Sequence, residues 1–239
     1  MLFSEILNHH PEDKICLQVG DRQLTYGQLN SKSTCLANRL AITIKKGDRV
    51  FLRLEDPLEQ LTAFFAIVKA GGVCVFASIE MKEELCTELK KKYEISYDFA
   101  QMLLVNEQND DIILPELNGQ EIFLGVFSSG STGTPKLILR DHQSWMAAFP
   151  WQSEIFNLYC KDILYLVGNL AYSANLNACL HMFFLGGSVA ISKSKMPKTW
   201  AREVCVYKVT AIFMVPANYR VFVKNFVQTN KVVVSIVTG

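Results

Sequence analysis

The sequence predicts an α/β fold with mostly parallel sheets and covering helices. Three observations predict it: apolar runs of strand length recur along the chain, stretches with helical spacing follow them, and glycines or prolines punctuate the joins. Of the 239 residues 50% are hydrophobic, enough for a sizeable core in one large domain or two small ones.

Residues 16–19 and 23–26 flank Gly20-Asp21-Arg22 and read as a short hairpin, because Gly and Asp tolerate the angles of a tight turn. Thr25 with Gln28 is a capping-box pattern, and Leu29, Leu36 and Leu40 then recur near helical spacing until Lys45-Lys46-Gly47. Residues 50–54 read as a strand. Pro57 opens a second helix whose Leu61, Phe64, Phe65 and Val68 supply a buried face, and Gly71-Gly72 ends it before the strand 73–76. The order repeats with a charged helix over 81–92, a strand near 102–105 and a strand over 122–127. Residues 106–119 are the candidate loop or subdomain boundary. Further on come a strand at 163–167, a helix through Leu180, a strand at 188–191, a helix near 200–207, a strand at 210–215 and a helix after Pro216. The last strand, 232–237, is continuously apolar, as buried parallel strands are. No short repeat or low-complexity tract interrupts this order.

Charge and cysteine usage exclude several functions. Lys and Arg number 24 against 23 acidic residues, so no surplus charge draws the chain to nucleic acid or to an anionic membrane. The seven cysteines (Cys16, Cys35, Cys74, Cys86, Cys160, Cys179, Cys205) are odd in number and scattered, without a C-x-x-C pair. That pattern argues against a disulfide framework or a zinc site and for buried, reduced thiols in a cytoplasmic protein. The start has no signal-peptide pattern, and His9 and His10 read as solvated. Residues 163–192 lack Lys, Arg, Asp and Glu over a length that could span a bilayer. Asn169, Asn175, Asn177 and His181 recur through that stretch and Gly186-Gly187 breaks it, so it reads as strand, helix and strand with no membrane span.

The chemistry concentrates in Phe127-Ser128-Ser129-Gly130-Ser131-Thr132-Gly133-Thr134-Pro135-Lys136, directly after an apolar strand. Glycines let backbone N–H groups approach an anion, hydroxyls donate to its oxygens and a lysine neutralises charge as a compact point. A Walker A loop fails here: Pro135 stands where its second glycine belongs and Leu137 where its magnesium-binding hydroxyl belongs. Composition alone also fits a solvated linker. Its place between a buried strand and further core elements argues against that.

This run resembles the phosphate loop of the adenylate-forming (AMP-binding) ligases, commonly T-S-G-[ST]-T-G-x-P-K-G. Leu24-Thr25-Tyr26 with Leu29, Gly47-Asp48-Arg49-Val50, Lys69-Ala70-Gly71-Gly72, Val215-Pro216 and Thr238-Gly239 resemble further landmarks of that family in the right order. The chain is thus identified as the N-terminal portion of an acyl-CoA synthetase-like fold, with 1–239 an incomplete N-terminal domain and its C-terminal domain absent. The resemblance implies activation of a carboxylic acid by ATP, with Ser128, Ser129, Gly130, Ser131, Thr132, Gly133, Thr134, Pro135 and Lys136 closing over the β and γ phosphates. Those phosphates leave as pyrophosphate when the acid attacks the α phosphorus. Lys136 is the one candidate catalytic side chain. Leu137 departs from the usual glycine, and Ser131 keeps the hydroxyl of a common threonine.

Tyr172 matches the aromatic or histidine that gates the acyl pocket in the family; a core tyrosine with its hydroxyl satisfied is the alternative. Residues 166–180 hold no acidic side chain, which disfavours an α-amino acid substrate. His142 reads as a capping or surface residue, and Lys69 and Arg140 as ordinary surface cations. The family's magnesium-binding glutamate, ribose-binding aspartate and C-terminal lysine fall beyond Gly239, so magnesium, coenzyme A or a carrier protein would be engaged by later motifs. Three readings stand: a ligase completed by another piece, a truncated and inactive remnant, and an acyl- or nucleotide-binding module.

Overall fold

A computed structural model describes residues 2–102, 113–128, 134–226 and 235–237. A 3₁₀ helix (Phe3–His9) leads into β1 (Ile15–Val19), β2 (Arg22–Thr25), α1 (Tyr26–Leu40), β3 (Arg49–Leu52), α2 (Pro57–Lys69), β4 (Val73–Phe76), α3 (Glu83–Lys92), β5 (Tyr97–Asp98) and α4 (Phe99–Met102). There follow β6 (Ile122–Ser128), β7 (Lys136–Asp141), α5 (His142–Met146), α6 (Phe149–Phe156), β8 (Ile163–Val167) and α7 (Ser173–Leu185). The described chain closes with β9 (Ser188–Ser192), α8 (Pro197–Val206), β10 (Ala211–Phe213), α9 (Pro216–Asn225) and β11 (Ser235–Val237).

Local chemistry sets the helix starts. The Gln28 N–H donates to Thr25 Oγ1 at 3.2 Å while the Thr25 N–H donates to Gln28 Oε1 at 3.0 Å, the reciprocal capping box expected for α1. Asp56 caps α2 by accepting from the Leu58 N–H at 3.0 Å, with Pro57 at the first helical position.

The strands form a six-stranded sheet in the order β11-β10-β8-β9-β1-β2 and a five-stranded sheet in the order β5-β3-β4-β6-β7. Neighbours run parallel except at the β1–β2 and β6–β7 pairs. Strand alternation divides the core into layers. Val50, Leu52, Cys74 and Phe76 of the smaller sheet share one buried cluster with Leu164, Leu166, Val189 and Ile191 of the larger sheet. α2 and α7 supply Leu61, Phe64, Phe65, Leu180 and Phe183 to the same cluster, so these helices lie between the sheets. Phe51, Val73 and Val75 face the other way, toward Cys86 of α3. Tyr165, Ala190 and Ile212 face Trp200 and Val204 of α8 and Phe222 of α9. Each fully buried Leu or Phe contributes about 1.5–3 kcal/mol, so the nearly all-round apolar α2 is the centre of the packing.

Several expectations change. Of the strand expected near 102–105, Met102 is the last residue of α4, and residues 103–105 lie outside the described residues. Asp98 starts that helix by accepting the Ala100 N–H at 3.2 Å, and the strand of this region is the earlier β5, paired with β3. α3 begins at Glu83, after a turn in which the Met81 N–H donates to the Ser78 carbonyl at 3.1 Å. β7, α5 and α6 were not anticipated. Within the span 106–119, residues 113–118 carry no regular structure and 106–112 lie outside the described residues, as do 232–234 of the last strand. The thiols are not all buried: Cys35, Cys160 and Cys205 are exposed. The stretch 163–192 resolves into β8, α7 and β9, and among the described residues no helix is long and apolar enough to cross a membrane.

Candidate functional site

Both sheets present the carboxyl ends of their parallel strands toward one cavity. Its volume is about 480 Å³, and its walls come from the segments after β3 (Glu55, Pro57), β4 (Ile79, Glu80), β8 (Gly168, Asn169, Leu170, Tyr172) and β9 (Ser192 to Lys195). Trp200 of α8, Asn218 of α9 and Gln60 of α2 complete it. A crevice beyond the carboxyl ends of parallel strands is where open α/β sheets hold ligands.

The cavity is held from both sides. Lys193 Nζ lies 3.3 Å from Asp56 Oδ2 and Lys195 Nζ 3.4 Å from Glu80 Oε1, so the loop after β9 reaches the strand ends of the smaller sheet. Asn169 Nδ2 donates to Ser78 Oγ at 3.4 Å across the same junction. Exposed ion pairs of this kind contribute about 0.2–1 kcal/mol each, so they fix direction more than stability. Behind the wall, Glu203 accepts from Tyr165 Oη at 2.6 Å and Ser192 Oγ at 2.7 Å, and Trp200 Nε1 donates to the Ser194 carbonyl at 2.6 Å.

Two asparagines build the turn that presents Tyr172. Asn169 Oδ1 accepts the Ala171 N–H at 2.8 Å, and Asn175 Nδ2 donates to the Asn169 carbonyl at 3.0 Å. Tyr172 is 62% exposed and stands at the N-cap of α7 without a side-chain cap, so the reading of it as a core tyrosine is excluded.

The two described ends of the Ser/Thr/Gly run, Ser128 and Lys136, lie on the smaller sheet. β6 runs parallel beside β4, and Ser128 at its carboxyl end faces Lys136, the first residue of β7, across the antiparallel pair. Ser128 Oγ donates to the Lys136 carbonyl at 3.4 Å, and the Pro135 carbonyl accepts from Tyr93 Oη at 2.9 Å. Thr134 is half-buried and Lys136 exposed, while Ser129, Gly130, Ser131, Thr132 and Gly133 lie outside the described residues. The cavity lining contains none of Ser128, Thr134, Pro135 and Lys136.

Some histidines and one lysine depart from their sequence reading. His142 is a core residue, 1% exposed, that accepts the Phe3 N–H on Nδ1 at 3.1 Å and stacks on Phe123 with ring centroids 4.5 Å apart. Burial pulls its pKa down to about 4 against the upward pull of Glu121 and Asp141. His10 is half-buried, with Nε2 2.8 Å from the Phe183 carbonyl. Lys69 is buried, its Nζ 2.6 Å from Asn30 Oδ1, 2.9 Å from Ser33 Oγ and 2.8 Å from Thr34 Oγ1. Burial lowers its pKa to about 8. It borders a second cavity of about 530 Å³ between the amino-terminal segment, α1 and residues 114–117.

Sequence reasoning missed Gln60, Asn169, Lys193 and Trp200 as cavity residues. For Asn169 and Lys193 a signal existed, because both directly follow apolar parallel strands, where ligand-facing residues collect. Gln60 and Trp200 carry no local mark, since their helices only meet the cavity in the assembled fold.

Two mostly parallel sheets that open a crevice at their strand ends are the layout of an α/β protein that takes its ligand at that edge. The sequence matches the AMP-binding enzyme family over residues 3–115 and 80–235, and the chain belongs to that family. It is 29% identical over 212 residues to a protein of Staphylococcus epidermidis with the provisional name long chain fatty acid-CoA ligase VraA, covering 88% of this chain and 46% of that protein. The chain therefore spans about half the length of that relative (46%). Among solved structures, O-succinylbenzoate coenzyme A synthetase of Bacillus subtilis in complex with AMP superposes with a TM-score of 0.84 at 15% identity, over 97% of this chain and 65% of that one. The N-terminal subdomain of Klebsiella oxytoca NpsA gives 0.81 at 23% identity, over 93% of this chain and 60% of that one. The fold is that of the N-terminal portion of acyl-CoA synthetase-like enzymes.

Proposed function

We propose that the chain supplies the phosphate-binding and acid-binding part of an ATP-dependent ligase that activates a carboxylic acid as its acyl-adenylate and releases pyrophosphate. The observation that supports this most is the meeting of Ser128 and Lys136 across β6 and β7, on the strand-end edge that also borders the cavity. In this reading the run from Ser128 through Ser129, Gly130, Ser131, Thr132, Gly133, Thr134 and Pro135 to Lys136 takes the leaving phosphates. Hydroxyls and backbone N–H groups donate to phosphate oxygens, and Lys136 brings a point charge. ATP, when bound, supplies the phosphorus that the carboxylate attacks, and the protein's help is positional and electrostatic. Tyr172 borders the acid.

The magnesium ion, and the coenzyme A or carrier-protein thiol that would receive the acyl group, belong in this reading to the whole enzyme. Among the described residues no group of three His, Cys, Asp or Glu side chains could hold a metal ion, so no step is assigned to one here. In the same reading the chain is an incomplete N-terminal domain with a subdomain boundary around 106–119, works in the cytoplasm and has no nucleic-acid partner.

The test is acid-dependent exchange of labelled pyrophosphate into ATP by the purified chain, over a panel of aryl and alkyl acids, with Lys136→Ala as control. Exchange that the substitution abolishes supports the assignment. Exchange that survives Lys136→Ala removes the lysine from the site, and no exchange with any acid leaves an acid- or nucleotide-binding module.

A further inference from the structure

Tyr93, the C-cap of α3, is fixed through both its backbone and its ring. Its N–H donates to the Leu89 carbonyl at 3.0 Å, and its own carbonyl accepts from Nη1 of Arg49 on β3. The ring packs against Phe127 of β6 with centroids 6.1 Å apart, and Lys92 Nζ lies 5.1 Å from the ring centroid. Held in this way, the hydroxyl donates to the Pro135 carbonyl at 2.9 Å, 42 positions further along the chain. The proline ring locks φ of Pro135 near about −65°. A hydrogen bond on its carbonyl then sets the direction of the next peptide, which ψ would otherwise leave free, and that peptide leads into Lys136. On the far side, the Lys136 carbonyl accepts from Ser128 Oγ at 3.4 Å. The backbone of Lys136 is therefore held before and after the residue, while the residue itself is exposed.

We propose that Tyr93 is a positioning residue for phosphate binding: its hydroxyl, through the Pro135 carbonyl, fixes the backbone that carries Lys136. This rests on the reading of Lys136 as a phosphate-binding cation and adds the side chain that aims it. A cation placed before the anion arrives loses less freedom on binding, so the fixed peptide raises affinity without touching the ligand. Tyr93→Phe keeps the ring and its packing and removes only the hydroxyl, so it separates aiming from packing.

The experiment is isothermal titration calorimetry of inorganic pyrophosphate into the full chain, with thermal melts of the same proteins. Tyr93→Phe should bind pyrophosphate about 3- to 10-fold more weakly than the wild type and melt within about 4 °C of it. Cys86→Ala, in the buried cluster against which Tyr93 packs, is the packing control. It should lower the melting temperature and leave pyrophosphate affinity unchanged. Equal affinity of the wild type and Tyr93→Phe would overturn this inference and leave the phosphate reading standing. A loss of affinity that Cys86→Ala reproduces would make the effect one of packing and overturn it as well. No binding to the wild type would remove the phosphate reading itself, and this inference with it.

Discussion

The Phe3 backbone N–H donates to Nδ1 of His142 at 3.1 Å, tying the amino-terminal 3₁₀ helix to the start of α5 across 139 positions of sequence. An Nδ1 that accepts must be unprotonated, so this joint requires a neutral imidazole.

Acid should open that joint. Burial lowers the pKa of both His142 and His181 to about 4 from 6.5, so the unfolded chain binds more protons between those values. Their contribution is fully present above pH 6.5 and is lost as pH falls through 4. Urea titrations should show a loss of about 2 kcal/mol per histidine over that window, and His181→Gln should flatten the slope by about half. An unfolding free energy unchanged from pH 7 to pH 5 would contradict the burial of both rings.

Alkaline pH should act in the opposite sense through Lys69. Its folded pKa is about 8 against 10.5 unfolded, so the cost of burying the charge is full below pH 8 and disappears as pH rises toward 10.5. Relative to Lys69→Met, the wild type should gain about 1–3 kcal/mol between those limits. The comparison is needed because buried thiols such as Cys16, pushed up to about 12, destabilise the fold over the same range. Parallel stability curves for the two proteins would show that the lysine stays charged in the fold.

Two glycines separate backbone strain from crowding. Gly186 closes α7 at φ +74°, and a methyl group there would come within 2.5 Å of the His10 ring; Gly20 sits at φ +60° with nothing near it. Gly20→Ala should cost about 1 kcal/mol, the backbone penalty alone. Gly186→Ala should cost at least about 1 kcal/mol more, read from denaturant midpoints. Equal costs would mean that the His10 ring yields freely.

Tyr172 offers a functional test that stability does not confound. Being exposed, it should tolerate Tyr172→Ala within about 0.5 kcal/mol, while acid-dependent exchange of pyrophosphate into ATP falls. A large drop in melting temperature would mean that the side chain supports the turn after β8 instead of the ligand.

Much of the fold was legible because its signals are local. Thr25 and Gln28 cap each other, Pro57 opens α2 and Gly71-Gly72 follows its end, and each of these effects acts within one helical turn. β7 could have been found too, since Leu137 and Leu139 alternate with the outward Lys136, Ile138 and Arg140. The density of hydroxyls and glycine after residue 127 obscured it. Lys69 and His142 were misread for a different reason: a lysine at a helix end and a histidine at a helix start carry no local mark of the neighbours that bury them.

By itself the sequence determined the alternation of strands and helices, the Ser/Thr/Gly run at the end of an apolar strand, and membership of the AMP-binding family. Only the tertiary structure decided which strands share a sheet, that β7 returns antiparallel, and that Gln60 and Tyr172 border one cavity. The physical reason is range. Caps, turns and hydrophobic period act between residues a few positions apart, whereas Gln60 and Tyr172 come from different helices in a layer that forms only when the two sheets close over it.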